Sequence, residues 1–169
     1  MTYHLKYIST IIILTIVISS CGIYSFSGTS ISENVNTFCV YYIKNNAQLI
    51  QPNLSNSLTE ELKTKCLNET SLTWQEKDAD IIFSGSINDY YIKPMSIQNN
   101  ETAAQNRLTI KVNITYKNKL DDSQSFKKTF SHYTDFDSNE NFVEIEDELN
   151  SIIIANLVED IFNSALVNW

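Results

Sequence analysis

The chain has 169 residues, of which 43% are hydrophobic, and its formal net charge is −8 at pH 7. A protein with this charge repels nucleic acid, which is bound through Lys and Arg side chains, so a nucleic-acid partner is excluded. The length suits one domain, and a domain of this size holds a core without a metal or a disulfide.

The first twenty residues have the pattern of a bacterial secretion signal. Lys6 and the amino terminus give a positive start, and residues 8–18 form an uncharged run of Ile, Leu, Val, Thr and Ser. This run is too short to cross a bilayer, which takes about 20 apolar residues. A positive start, a short apolar run and small residues before a cleavage point are typical of an exported protein.

A cysteine, Cys21, follows the predicted cleavage point, after a branched aliphatic residue and two small residues. This arrangement is that of a lipobox, so we predict that residues 1–20 are removed and that Cys21 carries a diacylglycerol. Two or three acyl chains anchor a protein stably, since each buried CH₂ contributes about 0.8 kcal/mol. The alternative is an ordinary cleavable signal beside an unrelated cysteine. Loss of Lys6 with the signal changes the net charge from −8 to −9.

The part of the chain after the signal divides into two segments. Residues 21–34 are rich in Gly, Ser and Thr and are predicted to form a lipidated tether. Residues 35–169 are predicted to form the folded domain. It begins with a strand over 35–43, which we expect to be central because apolar residues occupy both of its faces.

A helix and a second strand are predicted next. After Pro52, apolar residues recur every four positions and predict a helix over about 53–68: Leu54, Leu58, Leu62 and Cys66. Ser57 and Glu60 have the spacing of a capping box. Residues 79–92 alternate apolar and polar side chains, which predicts the second strand, with Gly85 as a candidate bulge.

Two more strands complete the predicted sheet. Residues 108–117 alternate strictly, so one face of this third strand is expected to be buried and the other wet. Residues 123–133 mix aromatic and polar side chains and predict an edge strand. Lys127 and Lys128 would discourage this edge from pairing with another chain.

A final helix is predicted over 142–167, with acidic residues near its start and Asp137 or Ser138 as its cap. Residues 129–169 contain nine acidic residues and no Lys or Arg, so this end of the molecule is negative. The element order is β-α-β-β-β-α. It predicts an α+β fold in which two helices pack on one face of a four-stranded mixed or antiparallel sheet.

The residues needed for catalysis are scarce. His132 is the only histidine after residue 20, and a Gly-x-Ser-x-Gly motif is absent from the sequence. Three glycines in the whole chain are too few for a phosphate-binding loop of the Gly-rich type. The sequence therefore predicts a protein that is not an enzyme and that uses no cofactor other than the lipid on Cys21.

Two further patterns leave alternatives open. Asp135, Asp137, Asn139 and Glu146 have the spacing of an EF-hand calcium loop, although Glu140 stands where that loop needs glycine. Helix capping is the plainer interpretation of these acids, with calcium as the alternative. In an oxidising compartment Cys39 and Cys66 either form a disulfide or remain two separate buried thiols.

Four motifs, taken together, resemble the LptE family of lipopolysaccharide-assembly lipoproteins, and particularly its Bacteroidetes branch. They are CGIYSFSG at 21–28, NETAAQNRLTI at 100–110, DFDS at 135–138 and EDEL at 146–149. The likeness extends over nearly all of the chain after the signal, and the family fold agrees with the predicted element order.

The resemblance implies an outer-membrane lipoprotein that faces the periplasm. Such a protein inserts into the β-barrel translocon LptD, helps it to fold and supports delivery of lipopolysaccharide to the cell surface. The candidate partner-binding residues lie within the motifs: Asn100, Glu101, Thr102, Arg107, Asp135 and Asp137. The alternative is a periplasmic lipoprotein adaptor or lipid carrier of another envelope machine.

The sequence departs from the family at one point. Proteobacterial members are thought to place basic residues against lipid A phosphates near the strand connection and before the last helix. Here 98–100 and 138–140 are polar or acidic, and only Lys93 and Arg107 lie nearby. Lipopolysaccharide is therefore only a possible direct partner. The lack of basic residues does not argue against a plug held by hydrogen bonds, because the interior of a barrel is itself polar.

Overall fold

The computed structural model describes residues 31–32, 34–49, 51–95 and 104–167. The strands are β1 Thr37–Val40, β2 Lys44–Asn45, β3 Thr73–Trp74, β4 Ile81–Met95, β5 Gln105–Asn118 and β6 Phe126–Asp137. The helices are α1 Leu54–Glu69 and α2 Phe142–Leu166, and a short 3₁₀ turn, Asp122–Gln124, precedes β6. Neither helix is long and apolar enough to span a membrane within this part of the chain.

The strands form one mixed sheet with the order β3-β1-β4-β5-β6, and β2 pairs with β4 beyond the end of β1. The pairs among β1, β2, β3 and β4 are parallel, whereas β4, β5 and β6 form an antiparallel meander. The predicted α+β class is confirmed. The count of four strands was wrong because β2 and β3 are two residues long, too short to produce a period in the sequence.

The first strand is shorter than predicted. It ends at Val40, and Tyr42, which lies inside the predicted range, is 58% exposed. The chain returns to the sheet at β2 after leaving it at Tyr41. An aromatic residue in a β-rich run therefore does not guarantee burial, since its neighbours decide where the strand ends.

The core lies between the sheet and the two helices. Alternate side chains of β5 and the apolar stripes of α1 and α2 are buried there: Leu108, Ile110, Val112, Ile114, Leu58, Leu62, Ile153, Leu157 and Ile161. Full burial of each such side chain contributes about 1.5–3 kcal/mol. This interior is filled by side chains, which fixes the helices over one face of the sheet. No described helix lies on the opposite face.

The helix starts differ from the prediction. Helix α1 begins at Leu54, so Ser57 lies inside it and the capping box was wrong. Instead, Gln51 Oε1 accepts hydrogen bonds from the backbone N–H groups of Asn53 (2.7 Å) and Leu54 (2.9 Å). Asn141 occupies the N-cap position of α2, so neither Asp137 nor Ser138 is its cap.

Gly85 is not at a bulge, as was predicted. The register shift in β4 lies between Ile87 and Asp89, two residues further on. A Cβ atom at Gly85 would stand 2.2 Å from the carbonyl oxygen of Asn113 on β5. Glycine is therefore needed for the close approach of the two backbones.

Asp80 joins the starts of β1 and β4. Its Oδ2 atom accepts hydrogen bonds from the N–H of Asn36 (2.9 Å), the N–H of Thr37 (2.9 Å) and the hydroxyl of Thr37 (2.8 Å). These donors, led by the N–H of Asn36, hold the pKa of Asp80 below its usual value.

Asp80→Asn is expected to lower the free energy of unfolding at pH 7 by about 1–2 kcal/mol, because it removes charge-assisted hydrogen bonds. Since the folded pKa is depressed, the stabilisation is present above the unfolded pKa of about 3.9 and is lost as the pH falls through the folded pKa. Urea unfolding of both proteins from pH 7 to pH 3 should show the difference shrinking with acid. A difference that is constant with pH would contradict this account.

Candidate partner-binding surface

The side of the sheet that faces away from the helices carries three of the predicted site residues, Arg107, Asp135 and Asp137. We call this surface of β4, β5 and β6 the open sheet face. Since side chains alternate along a strand, residues that flank the buried Ile110 and Val112 point to it. Cross-strand pairing sets the rows on this face, and one of these rows places Lys93, Arg107 and Asp135 side by side.

Arg107 and Asp135 form a two-pronged ion pair across β5 and β6. The distances are 2.7 Å from Nε to Oδ1 and 2.8 Å from Nη2 to Oδ2. The guanidinium carbon lies 3.6 Å from the ring centre of Tyr133, so the cation also stacks on an aromatic face. Hydrogen bonds from Arg107 hold the pKa of Asp135 below its usual value.

Aromatic rings and lysines continue this pattern on β4 and β5. Lys93 Nζ lies 4.8 Å and Lys111 Nζ 5.7 Å from the ring centre of Tyr91. Lys111 also lies 3.6 Å from a carboxylate oxygen of Asp89. The end of the open sheet face nearest the β4–β5 connection is thus a set of cations placed over tyrosines and partly balanced by aspartates.

The two sides of the molecule differ in charge. Five basic residues point to the open sheet face: Lys93, Arg107, Lys111, Lys117 and Lys127. Three acidic residues share it, Asp89, Asp135 and Asp137, which leaves a net charge of +2. The sequences of α1 and α2 contain nine Asp and Glu residues and two Lys residues, a net charge of −7. A strongly acidic protein therefore has one basic face.

Comparison with known proteins identifies the family. The family model described as LptE, lipopolysaccharide-assembly, matches residues 35–165. The chain belongs to the LptE family. A comparison with curated proteins found no match.

Two of the solved structures with a similar shape are bacterial lipoproteins. A minor lipoprotein from Acinetobacter baumannii has 13% identity and a TM-score of 0.50, with 78% of this chain and 96% of that chain covered. Rare lipoprotein B from Shewanella oneidensis has 10% identity and a TM-score of 0.44, with 76% and 90% covered. At 13% identity the likeness to the Acinetobacter protein concerns the fold alone. Nothing is concluded from the likeness to rare lipoprotein B, whose TM-score is lower.

In this LptE-family chain the predicted site residues are only partly brought together. Arg107 and Asp135 are in contact, whereas Asp137 organises the turn before α2 by accepting the N–H of Asn139 (2.9 Å). Asn100, Glu101 and Thr102, like Cys21, lie outside the described residues.

The sequence reasoning missed Tyr91, Lys111 and Tyr133. Lys111 and Tyr133 reach the site through the pairing of β4, β5 and β6. The position of Tyr91 depends on the register shift in β4, before which the odd-numbered side chains are buried and after which Tyr90 is buried. A signal for this shift was present, because Ile81, Phe83 and Ile87 fall on odd positions whereas Tyr90 and Ile92 fall on even positions. A change of phase of this kind indicates a bulge.

The calcium interpretation does not fit the described residues. Asp135 is paired with Arg107, and Glu146 Oε1 accepts a hydrogen bond from the hydroxyl of Tyr90 at 2.6 Å. No group of three or more His, Cys, Asp or Glu residues able to hold a metal occurs in the described ranges. The carboxylates that share the spacing therefore serve different structural contacts.

The remaining reactive side chains are also engaged. Cys39 and Cys66 are separate buried thiols, so the disulfide alternative was wrong. Burial raises the pKa of Cys66 to about 12, which keeps it a thiol at neutral pH. His132 Nε2 lies 2.7 Å from a carboxylate oxygen of Asp160 and ties β6 to α2.

The ion pair of Arg107 is expected to matter for binding more than for folding. Arg107→Ala should leave the midpoint of thermal unfolding almost unchanged, because exposed ion pairs contribute little to stability. The same change should weaken binding of a partner that docks on the open sheet face. Lys63→Ala is a matched control, since Lys63 pairs with Glu60 at 3.6 Å on helix α1, which lies on the other side of the sheet. A large fall in the midpoint for Arg107→Ala alone would show that the pair is structural.

Proposed function

We propose that this chain is a non-enzymatic, lipid-anchored subunit that occupies the lumen of an LptD-type β-barrel. It faces the periplasm from the outer membrane, supports folding of the barrel and takes part in delivery of lipopolysaccharide. The observation that carries this proposal is the match to the LptE family over residues 35–165. The lipid on Cys21 supplies the anchor, and no cofactor takes part.

The form of the domain supports a plug. Its interior is filled by fully buried side chains such as Phe38, Phe83 and Phe162, whereas a lipid carrier needs an open apolar cavity. Its open sheet face is polar and charged, which suits a barrel lumen because lumens are lined by polar side chains. We therefore prefer the plug to the carrier and to an adaptor of another machine.

Direct contact with lipopolysaccharide phosphates would fall mainly to Lys93. Arg107 is balanced by Asp135, so binding a phosphate there requires that the ion pair be broken. Lys93 has an aromatic ring beneath it, with no acidic partner within 4.0 Å among the described residues. One cation is a weak phosphate site compared with a cluster.

Purification of the full-length tagged chain from outer membranes tests the proposal. A large β-barrel protein should co-purify in a 1:1 ratio and resist separation by salt. Recovery of small periplasmic proteins alone would contradict the plug and favour the adaptor.

A further inference from the structure

Strand β6 is an edge of the sheet. Within the described ranges it pairs with β5 on one side and with no strand on the other. Its pairing with β5 continues without a register shift from Phe126 to Asp137. Residues 129–134 are uncharged, contain no Pro or Gly and favour strand formation. A long regular edge of this kind pairs readily with another strand unless something covers it.

A groove lies between this edge and the C-terminal half of α2. Its volume is about 650 Å³. Its apolar part is formed by Phe126, Phe130 and Val167, and its helix side by Asp160, Asn163 and Ser164. Lys128 crosses the groove, with its Nζ donating to Ser164 Oγ at 3.4 Å. An edge strand beside a helix, with a groove between them, is the geometry in which extended peptides are bound as an added strand.

The start of the described chain lies beside this groove. Ile31 packs against the core and lines a neighbouring cleft with Tyr116 and Leu166. Ser164 lines both the cleft and the groove. Since Tyr116 pairs with Phe126, the residues that precede Ile31 leave the domain at the Phe126 end of β6.

The preceding sequence has the composition that such a groove requires. Residues 22–30 contain no charge and no proline, and Tyr24 and Phe26 alternate with Ser25 and Ser27. Two aromatic side chains at this spacing point to the same side of an extended segment. Nine extended residues reach about 30 Å, more than the roughly 17 Å covered by five or six residues of β6.

We propose that the groove receives residues 22–30 of the chain itself, as a strand added antiparallel to β6. The direction follows from the connection to Ile31 at the Phe126 end. Tyr24 and Phe26 then lie on the helix side at the level of Phe130, and the edge of β6 is covered. A tether used in this way holds the domain close to the lipid on Cys21. The inference concerns the chain alone and does not depend on the barrel partner.

Amide hydrogen exchange measured by NMR tests this proposal. The protein is the mature chain with Cys21→Ala, compared with the same chain carrying Tyr24→Ser and Phe26→Ser. The outward amides of β6 should be protected in the first protein and exchange at least tenfold faster in the second. Amides of β5 should be unchanged in both, which shows that the variant is folded. A control with Tyr41→Ser and Tyr42→Ser, two exposed tyrosines elsewhere, should keep β6 protected.

Three results would overturn the proposal. In the first, the outward amides of β6 exchange equally fast with and without the two substitutions. In the second, protection is lost when Asn168 and Trp169, which follow Val167, are deleted, and it survives in the Tyr24→Ser and Phe26→Ser protein. In the third, protection rises with protein concentration and light scattering shows a dimer, which would assign the edge to a second copy.

Discussion

Cys21→Ala is expected to move the protein almost entirely from the membrane fraction to the soluble fraction. The reason is that Cys21 follows a lipobox and is predicted to carry the lipid that anchors the chain. Two or three acyl chains, at about 0.8 kcal/mol per buried CH₂, hold a protein on a membrane, and a chain without them has no such attachment. The variant should be exported behind an ordinary cleavable signal in place of residues 1–20, so that an uncut signal does not itself anchor it. The measurement is sedimentation of membranes followed by detection of the protein.

Cys39→Ala is the matched control for this experiment. Cys39 is a buried thiol whose Sγ lies 3.2 Å from the carbonyl oxygen of Glu76, and burial raises its pKa. Its loss removes a cysteine without touching the predicted anchor, so this variant should sediment with membranes like the parent. A Cys21→Ala protein that is folded and still sediments would show that the lipid is not the anchor.

Leu62→Ala is expected to lower the free energy of unfolding by about 2–5 kcal/mol, the usual cost of removing a buried leucine and leaving a cavity. Leu62 is fully buried on the inner side of α1. For a domain of this size, a loss of about 3 kcal/mol lowers the melting temperature by roughly 10 °C. Urea unfolding and thermal unfolding, both followed by circular dichroism, measure the change.

Leu67→Ala gives the control on the same helix. Leu67 is 45% exposed, so its truncation should cost no more than about 0.5–1 kcal/mol. Both substitutions have the same effect on helix propensity, so the difference between them isolates burial. Equal losses for the two variants would contradict the assignment of the helix face.

The long elements were predictable because their patterns are long. Strand β5 alternates over residues 108–117, and the stripe from Leu54 to Cys66 repeats at helical spacing, so both elements were predicted with small errors at their ends. Strand β3, two residues long, and the break after Val40 left no periodic signal. Their positions depend on pairing with residues far along the chain, which a local pattern does not contain.

The site was predictable only as a set of motif residues. Arg107 and Asp135 were selected through the resemblance, and their contact depends on a pairing of β5 with β6 that the sequence does not state. Tyr133 became part of the site for the same reason, since it stacks on Arg107 across the strands. Register places these residues together, and one residue of slip would send them to the opposite face.

Photo-crosslinking in cells from two opposite sides of the domain tests the central claim most directly. Tyr133 is 52% exposed on the open sheet face, and Val143 is 78% exposed at the start of α2, near the same end of the molecule. A plug enclosed by a barrel should crosslink to the same large outer-membrane barrel protein from both positions. Crosslinks to that barrel from one side only, or to small periplasmic proteins from both, would contradict the plug.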